Sequence, residues 1–271
     1  MPPSSNSSRA LAPLPAALAR PGLVSFWDFQ EPAGTPRIAR GPHAYTLLER
    51  DGPVERVADG VFGPGSARFG DGAWLCAPRA DCPALNLHGP AAQMTVVAWI
   101  KREPTPADLA GNCQAVAGMW NEHGRRQYCL FLNLRIWDSA EQVGAHISRT
   151  GGPTPGYKYC MDAAQGATPV PFSTWQCVAV TYDGAHARAY LGGVLDTRDE
   201  RNPYAYPGGL FDGGPQGADF TVGAVARPET VTEDFREVGH VVANCYRGLL
   251  GGLAVYNRAL DEAELRALAI L

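Results

Sequence analysis

The sequence predicts an all-β fold, a sandwich or barrel with long loops and a short C-terminal helix, and three observations carry that prediction. Short β-like runs separated by Gly, Pro and Asp turns recur from residue 23 to residue 257. A helical pattern occurs only at the end, in Ala259-Leu260-Asp261-Glu262-Ala263-Glu264-Leu265. Glycine and proline, 31 and 23 of 271 residues, make up about a fifth of the chain against roughly 12% in average usage. Many strands with almost no helix assemble as sheet on sheet. Charged residues are only 18% of the chain, so a coiled coil, a helical bundle or a disordered protein fits poorly.

In chain order the β-like runs are Leu23–Phe29, Ala73–Ala77, Thr95–Arg102, Ala115–Asn121, Gln127–Ile136, Gln142–Arg149, Gln176–Tyr182, Ala187–Leu191, Phe220–Ala224 and Leu249–Tyr256. In the terminal helix Asp261 is placed to cap the N-terminus, and Leu265 and Leu268 form one apolar stripe. Neither a repeat nor a linker follows residue 22, which gives a flexible tail over 1–22 and one domain over 23–271. Four stretches lack periodicity: Glu103–Gln114, Thr150–Thr174, Asp199–Asp219 and Arg227–Asn244. Loops this long in a compact domain usually carry function.

The formal charge is −4 and no Lys/Arg block occurs, which argues against nucleic acid as partner. No run reaches the 18 apolar residues of a membrane span. Met1–Pro21 is rich in Ser, Pro and Ala, with no basic segment before the apolar Leu11–Leu18, so it does not read as a secretory signal. A cytoplasmic chain and a processed secreted form both remain open. Seven cysteines cannot all pair within one chain. Cys129 and Cys177 sit in apolar runs as small buried hydrophobes, while Cys76/Cys82 and Cys113/Cys160 are conceivable bridges. Reduced thiols are the favoured expectation.

Five segments, in order, resemble the laminin-G-like jelly-roll family of the concanavalin A-like lectin/glucanase superfamily. They are Leu23-Val24-Ser25-Phe26-Trp27-Asp28-Phe29, Gly65-Ser66-Ala67-Arg68-Phe69-Gly70-Asp71-Gly72 and Thr95-Val96-Val97-Ala98-Trp99-Ile100-Lys101. The hairpin from Trp175-Gln176-Cys177-Val178-Ala179-Val180-Thr181-Tyr182-Asp183-Gly184 into Ala189-Tyr190-Leu191-Gly192-Gly193 follows, then Val255-Tyr256-Asn257-Arg258-Ala259-Leu260 with Glu264. The resemblance implies a two-sheet antiparallel jelly-roll sandwich with carbohydrate bound on a concave face or at its rim. It also implies core packing between the sheets for Trp27, Trp99 and Trp175. A structural calcium ion on Asp28, Glu31 and Asp71 is a further expectation. Gly251-Gly252-Leu253 replaces a segment that, in some relatives, carries a calcium-supporting carboxylate. His43, His88, His186 and His240 are not at metal-ligand spacing.

The richest chemistry lies between residues 120 and 159. Alternation through the run at 127–136 puts Tyr128, Leu130, Leu132 and Leu134 on the core face and Gln127, Cys129, Phe131, Asn133 and Arg135 opposite. Pairing with the next run brings Gln127, Asn133 and His146 onto one surface. Trp120 or Trp137 is a candidate stacking platform for a sugar ring. Asn121, His123, Arg125, Asn133, Arg135, Tyr157 and Lys158 are candidate polar contacts. Polysaccharide lyases on a related jelly roll neutralise a uronate with a Gln/Arg pair and use His and Tyr as base and acid. By that analogy Gln127, Arg149, His146 and Tyr159 form a catalytic set.

The E-x-D-x-E strand of the superfamily's glucanases is missing, as are G-x-S-x-G, P-loop and H-E-x-x-H motifs. The leading expectation is binding of a polysaccharide or oligosaccharide. A glycan-cleaving enzyme and a protein-interaction module are the alternatives.

Overall fold

The computed structural model describes residues 15, 18–70, 72–227, 231–233, 236–238 and 241–270. The first strands are β1 (Leu23–Trp27), β2 (Arg37–Ile38), β3 (Thr46–Arg50), β4 (Glu55–Val57), β5 (Ser66–Phe69) and β6 (Trp74–Ala77). The middle of the chain gives β7 (Met94–Arg102), β8 (Gln114–Met119), β9 (Tyr128–Leu132), β10 (Val143–Ile147), β11 (Ala163–Gln165) and β12 (Trp175–Tyr182). After these come β13 (His186–Leu191), β14 (Val194–Leu195), β15 (Tyr204–Ala205), β16 (Phe220–Val222) and β17 (Val225–Arg227). The last elements are β18 (Val231–Glu233), β19 (Arg236–Val238), β20 (Val241–Ala243), β21 (Gly248–Tyr256) and the helix α1 (Glu262–Ala269). Two antiparallel sheets stack as a jelly-roll sandwich. The first runs β14-β13-β12-β7-β21-β5-β4, with β1 also on β21 and β15 on β13. The second runs β11-β10-β9-β8-β16-β6-β3-β2.

The core lies between the sheets, where Met94, Val96, Ala98 and Ile100 of β7 meet Tyr128, Leu130 and Leu132 of β9. Trp27 is there too, stacked on Phe220 at 5.7 Å, with its indole N–H donated to the Tyr45 carbonyl. The other two family tryptophans lie elsewhere. Trp99 alternates to the outer face of the first sheet and packs under α1, its Nε1 donating to the Leu268 carbonyl at 3.3 Å. Trp175 is half-buried and donates to Asp59 Oδ1 at 2.9 Å.

Helix α1 forms where its pattern placed it. Asp261 accepts from the Glu264 N–H at 2.8 Å, and the Glu264 carboxylate accepts from the Asp261 N–H, a reciprocal capping box. Leu265 and Leu268 are buried against Val97, Trp99 and Cys177. Leu18 is 0% exposed in the same cluster and its carbonyl accepts from the Tyr256 hydroxyl. Leu18 thus packs onto the sandwich; residues 1–14, 16 and 17 of the expected tail lie outside the described residues.

Strand β21 pairs with β7 along one edge, while its other edge is shared by β5 and β1. The β7 register shifts between Leu250 and Gly252. A side chain at Gly251 would meet Val61 and the Trp175 ring, and one at Gly252 would press into the ring of Phe62. Phe62 has no room to retreat, because it stands edge-on to Phe26 at 4.9 Å and to Trp99 at 4.7 Å.

The non-periodic stretch 227–244 contains short paired strands: β17 with β20, and β18 with β19. All seven cysteines are free, so neither conceivable bridge forms. Among the described residues no helix is long and apolar enough to cross a membrane.

Two outcomes follow. Gly252→Ala should lower stability by about 1–3 kcal/mol, read as a fall in thermal midpoint, because overpacking displaces a ring fixed on two sides. Ellman's reagent added in denaturant without reductant should titrate seven thiols per chain.

Candidate functional site

The outer face of the first sheet is covered in part by α1, whereas the outer face of the second carries two adjacent clefts. The sequence makes room for them. In register, Ala163 of β11, His146 of β10, Cys129 of β9 and Gly118 of β8 form one row across the sheet. The small neighbours of His146 let the Trp120 ring lie over its imidazole, at 4.2 Å between centroids and 28° between planes. Phe131 stands edge-on to both rings.

His146 is 6% exposed, and its Nε2 lies 3.0 Å from the Cys160 carbonyl. A carbonyl only accepts, so Nε2 carries the proton and Nδ1 holds the lone pair. Nδ1 is sealed from solvent and has no hydrogen-bond partner. Burial pulls the His146 pKa down to about 4, against the opposing pull of the Glu122 charge.

Glu122 stands beside this stack. It accepts from Trp120 Nε1 at 3.0 Å and from both Arg126 Nε and Nη2, at 3.0 and 2.6 Å. Burial raises its pKa, but the Arg126 charge and the hydrogen bonds outweigh that, so the carboxyl is held below its usual range. The turn is built by Asn121, whose side chain accepts from the His123 N–H at 2.8 Å, and by Gly124 with φ of 70°. Arg126 N donates to the Gly151 carbonyl at 3.1 Å, which ties this turn to the Gly/Pro loop beyond β10.

That loop is braced from within. Thr154 Oγ1 donates to Asp162 Oδ2 at 2.7 Å and accepts from the Met161 N–H at 2.8 Å, and the Tyr204 hydroxyl donates to Asp162 Oδ1. The bracing presents Tyr157 and Tyr159 outward, 49% and 56% exposed. Tyr157 stands edge-on to Trp137 at 5.9 Å, and Arg201 lies over the Trp137 ring at 4.2 Å. Lys158 sits 5.1 Å from the Tyr159 ring.

The first cleft, of about 390 Å³, brings together His146, Tyr159, Glu122, Arg135 and Phe131. The second, of about 430 Å³, lies across Trp120 and includes Asn121 and Arg125. Trp120 itself is 0% exposed, so it floors the face instead of offering a platform; the half-buried Trp137 and the two tyrosines are the accessible rings. Asn133 is turned to the Ala110 and Asn112 carbonyls, at 3.1 and 2.8 Å, and Arg135 also donates to Ala110.

The catalytic set does not assemble. Gln127 donates to Asn86 Oδ1 and the Leu87 carbonyl, and its own oxygen faces Arg79. Arg149 lies over the Tyr206 ring and donates to the Pro207 carbonyl. Only His146 and Tyr159 share a cleft. The expected alternation also ends early: Asn133, Arg135 and Trp137 have φ of 55°, 53° and 53°, which swings Leu134 into the cluster around Trp120 and away from the core. Glu122 was missed as a site residue, although its spacing of two from Trp120 and four from Arg126 was the available signal.

Of the residues expected to hold calcium, Asp28 and Glu31 are described, and Glu31 Oε2 is buried without a hydrogen-bond partner. The Asp28 carboxylate is paired with Arg40, and Glu31 Oε1 accepts from the Ile38 N–H at 2.8 Å. Asp71 and His240 lie outside the described residues. Among the described residues no three His, Cys, Asp or Glu side chains gather as metal ligands.

A two-sheet jelly roll with clefts on one outer face defines the class, and comparison supplies the family. Residues 77–266 match the family profile described as the Concanavalin A-like lectin/glucanases superfamily, and the chain belongs to it. A search of curated proteins found no match. Among solved structures, domain 4 of AbnA, an extracellular arabinanase from Geobacillus stearothermophilus in complex with arabinotriose, is 15% identical with a TM-score of 0.55. The match covers 91% of this chain and 98% of that one. The Trypanosoma rangeli sialidase in complex with the inhibitor DANA is 13% identical with a TM-score of 0.53, over 93% of this chain and 33% of the sialidase. The binding domain of botulinum neurotoxin serotype G is 8% identical with a TM-score of 0.57, over 92% and 50%. This chain thus spans about a third of the sialidase and half of the neurotoxin's binding domain. At such identities the likeness is one of fold.

The His146 geometry sets a pH dependence. The unfolded imidazole takes a proton as pH falls through about 6.5, whereas the folded one resists it down to about 4. Stability is therefore full above 6.5 and lost between 6.5 and 4, by on the order of 3 kcal/mol from this group. Urea unfolding at pH 7 and pH 4.5 should show the loss, and His146→Phe should remove that part of the slope.

Proposed function

We propose that this protein binds an oligosaccharide or polysaccharide on the outer face of its second sheet, with the first cleft and its aromatic rim as the central subsite. The observation that carries the reading is the rim itself. Tyr157, Tyr159 and Trp137 expose ring surface beside a cleft that offers the Glu122 carboxylate and the Arg135 guanidinium. Sugars present C–H faces that lie on rings and hydroxyls that pair with such groups. The superfamily membership and the arabinotriose complex of an arabinanase domain with this fold support the same reading.

Binding is favoured over cleavage by the commitments of the candidate catalytic groups. A lyase needs a cation on the uronate and a base that reaches the substrate proton. Arg149 and Gln127 point elsewhere, and the free lone pair of His146 is sealed inside.

Titration calorimetry against a panel of neutral and acidic oligosaccharides, arabinotriose included, tests this. Tyr159→Ala should weaken binding by about tenfold with an unchanged melting temperature. No new reducing ends or unsaturated sugars should appear. Absence of binding to every saccharide at millimolar concentration would remove the proposal.

A further inference from the structure

The second cleft is left unused by that reading, and its charge is distinctive. Among the described residues many guanidinium groups have acid partners, such as Arg37 with Glu49, Arg102 with Glu141, Arg126 with Glu122, Arg188 with Asp183 and Arg258 with Glu264. Arg50 and Arg125 line the second cleft, and among the described residues neither has an ion-pair partner or a hydrogen-bonded side chain.

Arg50 ends β3, opposite Trp74 of β6 in register, and Trp74 belongs to the cluster on the sheet's outer side. Arg125 projects from the turn fixed by Asn121. One carboxylate, Asp219, shares the cleft; it already accepts from the Arg79 N–H at 2.8 Å and faces the Cys76 thiol. Asp51, next to Arg50, accepts from Trp74 Nε1 at 2.7 Å. Across Trp120, the first cleft and its rim add Arg135 and Lys158, also without acid partners among the described residues. In a chain of net charge −4, this face gathers cations that have no acid partner among the described residues.

We infer that the bound glycan is anionic, and that Arg50 and Arg125 hold its carboxylate or sulfate groups in the second cleft. The inference rests on the glycan reading above. A planar guanidinium pairs with either oxyanion through two parallel N–H bonds, and a pair of them flanking one cleft suits a charged substituent better than a hydroxyl. The protein's overall charge repels a polyanion, so binding depends on these local cations.

The test uses polygalacturonate, dextran sulfate and unmodified dextran as probes, with affinity electrophoresis at low and high salt. The first two polymers distinguish a carboxylate from a sulfate ligand. Wild type should bind at least one of them more tightly than dextran, with affinity falling as salt rises. The double variant Arg50→Gln/Arg125→Gln should lose at least about tenfold for the charged polymer. The charge-matched control Arg68→Gln/Arg266→Gln, on the first sheet and α1, should not. Should Arg125→Gln lower the melting temperature, Arg50→Gln as a single change carries the comparison.

Equal affinity for dextran and the charged polymers overturns the inference and leaves the glycan reading standing. An undiminished double variant, or an equal loss in the control, does the same. Failure of every saccharide, neutral or charged, removes both.

Discussion

The first sheet closes on a strand from the far end of the sequence, and the rest of the sandwich depends on that closure. β21 lies between β7 on one side and β5 with β1 on the other, so elements about two hundred residues apart become neighbours through it. Gly251 and Gly252 make the arrangement possible, because the rings of Trp175, Phe62 and Trp99 occupy the space that side chains there would need. The first sheet joined through β21 gives the second one an apolar partner, and the second sheet's own outer face carries the clefts.

The two outer faces differ in how they are finished. On the first sheet, α1 and the segment carrying Phe62 cover Val97, Trp99 and Ala254. On the second, Trp120, Phe131 and His146 form an apolar floor that stays open at its edges, with clefts on either side of Trp120. Packing aromatic groups against an imidazole held neutral gives a floor without a stray charge. The ionised groups stand around it, with Glu122 tethered by Arg126 and the remaining cations spread along the rim.

Much of the fold was legible because its signals are local. The runs at 95–102, 176–182 and 249–256 became central strands, and the capping box at Asp261 fixed the helix. β11 and β15, of three and two residues, are too short to show a pattern and exist because a neighbouring strand offers free edge groups. The run at 127–136 was read too long, since left-handed backbone at Asn133 and Arg135 leaves no mark in hydrophobic periodicity. The site was legible in composition but not in direction. His146 and Tyr159 do meet, yet Gln127 turns to Asn86 and Arg149 to Pro207, choices made by polar partners forty or more residues away. Residue types named the chemistry; long-range hydrogen bonds decided where each group went.

The seven free thiols have a consequence beyond packing. In the folded chain, burial raises their pKa values, to about 12 for Cys76, Cys82 and Cys177, so they are nearly inert as nucleophiles. Once the sandwich opens, every one of them returns to ordinary acidity at the same moment and at high local concentration. In air, heating then competes with scrambled cross-linking, and the protein's useful lifetime becomes a matter of how slowly it unfolds. A reducing environment restores reversibility; an oxidising one turns each excursion from the native state into a loss.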